Sequence, residues 1–152
     1  MLKSSLEINH FNYKKRWLVN ATFKPFDNPK KTKIPNFQGG SYYDTVPGKI
    51  HFNYEGIEYS FEPTVSSSGR YFIAFGDITN GKSTYGGGRF LYLYPPDSKN
   101  KMTIDFNMAY NPPCVFSTFT TCPLPPKENI LPIEINAGEL DYKGILFSSV
   151  YE

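Results

Sequence analysis

Histidine and cysteine are scarce in this chain, and their scarcity limits the chemistry available to it. The 152 residues include two histidines, His10 and His51, and two cysteines, Cys114 and Cys122. Structural zinc sites use four Cys or His ligands at short characteristic spacings, which these four residues do not show. No Ser-His-Asp arrangement can be assembled from two histidines either. The sequence therefore predicts no metal site, and it identifies neither catalytic residues nor a cofactor.

Long apolar runs and a helical repeat of hydrophobic residues are also missing. No stretch approaches the roughly 20 apolar residues that a membrane-spanning helix needs. Residues 1–7 lack the apolar middle region of a signal peptide. We therefore expect no membrane span and a cytoplasmic chain as it stands, exported only if a signal peptide has been trimmed from it.

What the chain has instead is aromatic residues in alternating patterns. Thirteen Phe and twelve Tyr suit pleated strands, and apolar residues recur with a period of two. The pattern predicts one all-β domain over residues 1–152, an antiparallel sandwich or flattened barrel of about eight strands with a Pro-rich irregular segment. The predicted strands are 17–23, 50–54, 57–61, 70–75, 89–94, 101–108, 132–136 and 144–151. We expect 25–35 to be a loop, 50–61 to be a hairpin turning at Glu55-Gly56, and 89–108 to be a second hairpin.

Charge is distributed unevenly along the chain. The net charge is +2, but the basic residues concentrate in the first third, at 14–16 and at 30–33. A nucleic-acid site would interleave such a patch with exposed aromatic residues. We interpret the lysines as solubilising charge around loops and do not expect a nucleic-acid partner.

Two segments are too unusual for ordinary strands and turns, one around residues 75–91 and one from residue 105 to residue 139. Residues 84–89 read TYGGGR, 105–114 read DFNMAYNPPC, 121–129 read TCPLPPKEN, and 137–139 read AGE. Over about residues 15–140 the chain resembles a family of uncharacterised bacterial and archaeal proteins, domain of unknown function 1684. The resemblance implies a shared fold and a shared site, but no reaction.

The two cysteines leave three interpretations open. Cys114 and Cys122 could be buried free thiols, a disulfide closing a short loop, or a catalytic or metal-binding pair. Because disulfides are rare in the cytoplasm and no export signal is evident, we expect both thiols to be reduced.

The same motifs supply the candidate binding residues. Gly86-Gly87-Gly88 opens a strand rather than a helix, so it is not a phosphate loop. If 89–94 and 101–108 form a hairpin, Arg89 lies on the same side as Asp105 and Asn107, and Asp105 or Glu139 should pair with Arg89. The candidate ligand-binding residues that we expect to share one pocket are Arg89, Asp105, Asn107, Tyr110, Asn111, Cys114, Glu128, Asn129 and Glu139.

Three classes of function fit these residues. The first is a small-molecule binding domain with a polar pocket on an aromatic-rich β scaffold. The second is an enzyme that uses the same pocket, with Cys114 as nucleophile or Arg89 as an anion clamp. The third is a structural or interaction module that docks through the Pro-rich run. The sequence does not indicate the ligand or the oligomeric state.

Overall fold

The chain folds into two antiparallel sheets that share an aromatic core. The computed structural model describes residues 8–116 and 122–142. The first sheet has the strand order β3-β2-β1-β7, and the second has the order β4-β5-β6. The strands are β1 (Leu18–Pro35), β2 (Ser41–Tyr54), β3 (Ile57–Phe61), β4 (Thr64–Val65), β5 (Tyr71–Phe75), β6 (Arg89–Leu93) and β7 (Lys101–Asp105). The all-β antiparallel prediction is confirmed, with seven strands in the described residues. No helix in that part of the chain is long and apolar enough to cross a membrane.

Phenylalanines join the two sheets. Phe106, which follows β7, lies with its ring 5.8 Å from Phe52 of the first sheet and 5.9 Å from Phe75 of the second. Phe61 and Phe75 are 5.8 Å apart and link the sheets directly. Alternate residues of β1, including Val19 and Ala21, are buried beneath this cluster. Edge-to-face and tilted ring pairs of this kind stabilise beyond their buried area, by about 1 kcal/mol each.

The predicted hairpin at 50–61 is confirmed. Strand β2 pairs with β3 in register from Ile50 opposite Phe61 to Tyr54 opposite Ile57. Both turn residues, Glu55 and Gly56, have positive φ, which is the conformation that a two-residue hairpin turn requires. The predicted strand at 70–75 is also present, as β5, and it lies between β4 and β6.

The expected loop at 25–35 is wrong, since β1 continues through it to Pro35. The pairing of β1 with β2 shifts register between Pro25 and Lys30 and then resumes. Pairing with β7 ends at Thr22, so the prolines lie where β1 has a strand neighbour on one side only. A proline lacks an N–H but is tolerated at a bulge or a free strand edge, which explains why the strand survives.

The second predicted hairpin is also wrong. Strand β6 pairs with β5, and β7 pairs with β1 in the other sheet. Strand β7 ends at Asp105, and residues 106–108 form a 3-10 turn that leaves Met108 exposed. Period-two alternation defines the faces of a strand but not its neighbour, and the connection at 94–100 crosses between sheets instead of turning back.

The segment at 132–136 is not a strand. Its backbone bonds instead to side chains and to a loop, through Ile135 N to Asp77 and Ile78 N to Ile133 O. The predicted strand at 144–151 lies outside the described residues.

Gly138 provides a test of how closely this irregular segment packs. Its φ is +79°, and a Cβ at this position would lie 2.6 Å from Ala109 O. Gly56 has φ +81° but nothing within 4 Å of such a Cβ. We expect Gly138→Ala to lower the free energy of unfolding by about 3 kcal/mol, and Gly56→Ala by about 1 kcal/mol, since only the first adds a clash to the backbone strain. Urea denaturation measures both, and equal losses would contradict the close packing.

Candidate functional site

Arg89 is buried completely, although it was predicted to line a pocket. Its guanidinium donates to the carbonyl oxygens of Ala137 and Ile135, the latter at 3.0 Å, and lies 5.3 Å from the centre of the Phe75 ring. Its nearest charge is Asp77, with 3.5 Å between Nη2 and Oδ1. Both side chains are 0% exposed. Because solvent does not reach the guanidinium, an anionic ligand has no access to it in this conformation.

The partner predicted for Arg89 was wrong. Asp105 or Glu139 was expected, but the acidic partner of Arg89 is Asp77. Strand β6 pairs with β5, and the chain continues directly from β5 into residues 76–77, which brings Asp77 next to Arg89. Asp77 also accepts hydrogen bonds from Thr79 Oγ1 at 2.9 Å and from Ile135 N at 2.7 Å. Desolvation lowers the pKa of Arg89, while the Asp77 carboxylate counteracts this effect. The guanidinium and the carboxylate together tie residues 135–137 to the second sheet.

Tyr110, Asn111 and Glu139 lie around the same irregular segment. Tyr110 exchanges two backbone hydrogen bonds with Phe90, and its ring stacks 6.2 Å from Tyr92. Burial raises the pKa of Tyr110, with smaller contributions from Tyr92 and Glu139. Asn111 donates its backbone N–H to Glu139 Oε1 at 2.6 Å and its side-chain amide to Leu140 O at 2.9 Å. The Asn111 contacts hold residues 139–140 in place.

Asp105 and Asn107 form a separate cluster at the end of β7. Asp105 Oδ1 accepts from Asn107 N at 3.0 Å and from Asn107 Nδ2 at 2.9 Å. Asn107 also accepts from Lys14 N at 3.1 Å and donates to Lys14 O at 3.0 Å. The side-chain amide thus pairs with the backbone as a neighbouring strand would, and it fixes the chain just before Arg16 and Trp17.

Glu128 and Asn129 follow the two prolines in a 3-10 turn at Lys127–Asn129. Asn129 is buried and pairs with the backbone of Glu62, accepting from its N–H at 2.7 Å and donating to its carbonyl at 2.9 Å. Glu128 is half-buried. The nine predicted residues therefore divide among several places, and their binding of a ligand stays a prediction.

Cys114 and Cys122 are joined by a disulfide, so the expected pair of reduced thiols is corrected. The bond closes a short loop between Pro113 and Pro123, and Cys114 N also donates to Cys122 Sγ at 3.2 Å. The two Cα atoms lie 6.2 Å apart, within the range that a disulfide spans. A bonded sulfur has no thiolate form, so Cys114 is not a nucleophile in this state.

A polar groove lies on the outer face of the first sheet, and sequence reasoning did not identify it as a site. Its volume is about 1020 Å³. The strand register places Ser60, His51, Thr22 and Lys101 in one row across all four strands. Most residues that line the groove are polar or charged, and the main ones are Arg16, Asn20, Thr22, Lys24, His51, Asn53, Tyr54, Glu55, Glu58, Tyr94, Asp97, Lys101 and Thr103. The polar residues that alternate with apolar ones in 18–24, 50–54 and 101–105 were the sequence signal from which this polar face could have been predicted.

Charges in the groove balance one another. Arg16, Lys24 and Lys101 oppose Glu55, Glu58 and Asp97. His51 Nδ1 lies 3.6 Å from Glu58 Oε1, and Lys101 Nζ lies 3.4 Å from Thr22 Oγ1. At one end the Arg16 guanidinium lies 5.3 Å from the Trp17 ring, which stacks 4.8 Å from Tyr54. Across the part of the chain that the structure describes, no three His, Cys, Asp or Glu side chains are grouped to hold a metal ion.

Comparisons with known proteins are consistent with the motifs. The family described as protein of unknown function (DUF1684) matches residues 5–140. The solution NMR structure of an uncharacterized protein from Haloarcula marismortui is similar, with 26% sequence identity and a TM-score of 0.73. The similarity covers 91% of this chain and 78% of that protein. No curated protein matches the chain.

Replacing Arg89 tests its structural role. We expect Arg89→Met to lower the free energy of unfolding by about 3–5 kcal/mol, because it leaves the Asp77 carboxylate buried without its cation and two carbonyls without donors. Arg70→Met is the matched control, since Arg70 is exposed with its guanidinium 5.0 Å from the centre of the Tyr94 ring, and it should lower stability by no more than about 1 kcal/mol. Chemical denaturation measures both, and similar values for the two variants would contradict the role of Arg89.

The disulfide makes a separate prediction. Alkylation of denatured protein without reductant should label neither Cys114 nor Cys122. Replacing both with serine should lower the free energy of unfolding by about 2.5 kcal/mol, the chain-entropy effect of so short a loop. Complete labelling of both thiols in unreduced protein would refute the pairing.

Proposed function

Because the chain belongs to the DUF1684 family, whose members have no assigned function, we propose a function from its own geometry: it is a small-molecule binding domain with the polar groove as its site. The observation that supports this most is the groove's size together with its lining. About 1020 Å³ matches the upper range of small-ligand sites. Donors and acceptors project into it from all four strands of a paired sheet, which is a rigid support.

The lining favours a neutral ligand with several hydroxyl or amide groups. Asn20 and Asn53 each offer both donors and acceptors, and the Thr22 and Thr103 hydroxyls can act as either. The three basic and three acidic side chains leave no excess charge to select an anion or a cation. Tyr54 and Tyr94 add aromatic surface on which the apolar face of such a ligand can pack. A saccharide has this combination of groups.

Two of the motif residues hold backbone segments next to residues that line the groove. Asn107 holds the backbone of Lys14, two residues before Arg16 at the groove's end. Asp105 lies opposite Leu18, another lining residue, and bonds the Asn107 amide. We assign Asp105 and Asn107 as positioning residues for this site. Arg89, Asn111 and Glu139 have contacts that hold residues 135–140 instead, and Tyr110 pairs with Phe90.

Titration with small molecules monitored by amide NMR shifts tests the groove. The probes are neutral saccharides (glucose, maltose and sucrose), an amino acid (glycine) and a nucleotide (adenosine monophosphate). We expect a saccharide to shift the amides of Asn20, Thr22, His51, Asn53 and Thr103, and to bind Asn53→Ala about five- to tenfold more weakly, the effect of one or two lost hydrogen bonds. Asn28→Ala, an exposed asparagine of β1 outside the groove, should bind as the unaltered protein does.

The proposal fails if no probe shifts these amides at millimolar concentrations. It also fails if the shifts map elsewhere on the chain. Tighter binding of adenosine monophosphate than of any saccharide would refute the neutral-ligand assignment.

A further inference from the structure

Four lysines project from the outer face of the ribbon that β1 and β2 form, starting at one end of the groove. Alternate residues of β2, including Ile50 and Val46, are buried, so the residues between them face outwards. Side chains directly opposite each other in an antiparallel pair lie on the same face of the sheet. The outward pairs in this region are Lys24–Lys49, Lys31–Thr45 and Lys33–Tyr43. The four lysines of these pairs are called the lysine stripe.

The stripe forms because the chain is a strand in this region. In a loop, the lysines of 25–35 would point in different directions and act only as solubilising charge. Strand β1 continues through the region instead. The register shift between Pro25 and Lys30 changes the outward residues of β1 from even numbers to odd numbers. The shift therefore brings Lys31 and Lys33 onto the face that carries Lys24.

The positive charges of the stripe lack acidic partners. Lys24 lies directly opposite Lys49, and like charges in this arrangement destabilise a sheet. In the part of the chain that the structure describes, none of the four lysines forms an ion pair, whereas Lys30 on the opposite face bonds Glu62 at 2.8 Å. None of the three outward pairs includes an acidic residue. Three of the four lysines are exposed, so an anionic partner has direct access to them.

An exposed aromatic ring lies beside the last lysine of the stripe. Tyr43 is 68% exposed and pairs directly with Lys33, which places their Cβ atoms about 5 Å apart. Phe37, in the turn that connects β1 to β2, is 51% exposed. A nucleic-acid site requires exposed aromatic residues among its basic ones, and the strand register provides this combination here.

The shape of the stripe favours a linear polyanion. The six residues from Lys49 to Tyr43 make it about 20 Å long, and it is only two side chains wide. A polymer chain follows such a line, whereas an anionic bilayer presents a broad plane of charge. A nucleic acid supplies both phosphates for the lysines and bases for the ring. In a duplex the bases stack on one another, so only a single strand offers a base to Tyr43.

We propose that the lysine stripe binds single-stranded nucleic acid, with the phosphates along the four lysines and a base stacked on Tyr43. This site is separate from the small-molecule function of the groove. Lys24 is the residue that the two share, because it also lines the groove. The other three lysines and Tyr43 lie outside the groove lining.

Salt dependence tests the phosphate contacts, with a fluorescent oligothymidylate of about 15 nucleotides as the probe. Each neutralised phosphate of a single strand contributes about 0.7 to the slope of log K against log salt concentration, so four lysines predict a slope of about −3. Replacing Lys31 and Lys33 together with glutamine should weaken binding and make the slope about 1.4 less steep. The matched control replaces Lys82 and Lys99, which are exposed outside the stripe, and should keep the original slope.

Replacing Tyr43 tests the base contact. Tyr43→Ala should weaken oligothymidylate binding about tenfold, the effect of losing one stacked base. Inorganic polyphosphate has no bases, so its binding should be the same in this variant as in the unaltered protein. Tyr13→Ala is the control, since Tyr13 is 63% exposed, and it should bind both probes normally. An equal loss with both probes would overturn the assignment to nucleic acid.

Further comparisons on the unaltered protein decide the proposal even if a variant does not fold, which thermal unfolding reveals. Oligothymidylate should bind more tightly than the same strand in a duplex with oligodeoxyadenylate. It should also bind more tightly than vesicles of phosphatidylcholine and phosphatidylserine. The reverse order in either comparison would refute the single-strand assignment, and so would the absence of binding at low salt. The altered residues lie outside the groove, so the result at either site leaves the other intact.

Discussion

The structure depends on the buried contact between Arg89 and Asp77. Residues 132–142 form no strand, yet they pack into the core through Ile135 and Ala137. Its carbonyls are satisfied by the Arg89 guanidinium and one of its N–H groups by the Asp77 carboxylate. Without this pair, the buried backbone would lack partners at a cost of about 1–3 kcal/mol for each group. The hydrogen bonds of this ion pair therefore take the place of strand pairing for residues 135–137.

Three asparagines of the family motifs also bond the backbone of irregular segments through their side chains. Asn107 pairs with both backbone groups of Lys14, and Asn129 does the same for Glu62. Asn111 donates to Leu140 O and, through its backbone, to Glu139. A side-chain amide presents the same donor and acceptor as a peptide group, so Asn107 and Asn129 each substitute for a neighbouring strand. The motifs were predicted as a binding site, and their visible role is to hold distant backbone together.

The two proposed sites, the groove and the lysine stripe, lie where these contacts leave polar groups available. The groove is the outer polar face of a sheet, and Asn107 sets the segment that forms one of its ends. Beside the extension of β1 and β2, Asn129 holds the backbone of Glu62. At the groove, a motif residue positions the proposed site without lining it, because Asn107 holds the backbone of Lys14.

The sequence by itself determined the β class, the 50–61 hairpin and the alternating faces of β1 and β7, because period two and turn residues are local properties. Tertiary structure alone decided that β6 and β7 enter different sheets, that β1 runs through its prolines to Pro35, and that Arg89 meets Asp77. Each of these outcomes depends on which strands pair with each other. The alternation of apolar and polar residues in a strand is the same whichever strand it pairs with. The groove and the lysine stripe follow from that pairing, since residues from more than one strand form them. The cysteines show the same limit: their spacing allowed a disulfide, but only the folded structure shows the two sulfurs bonded.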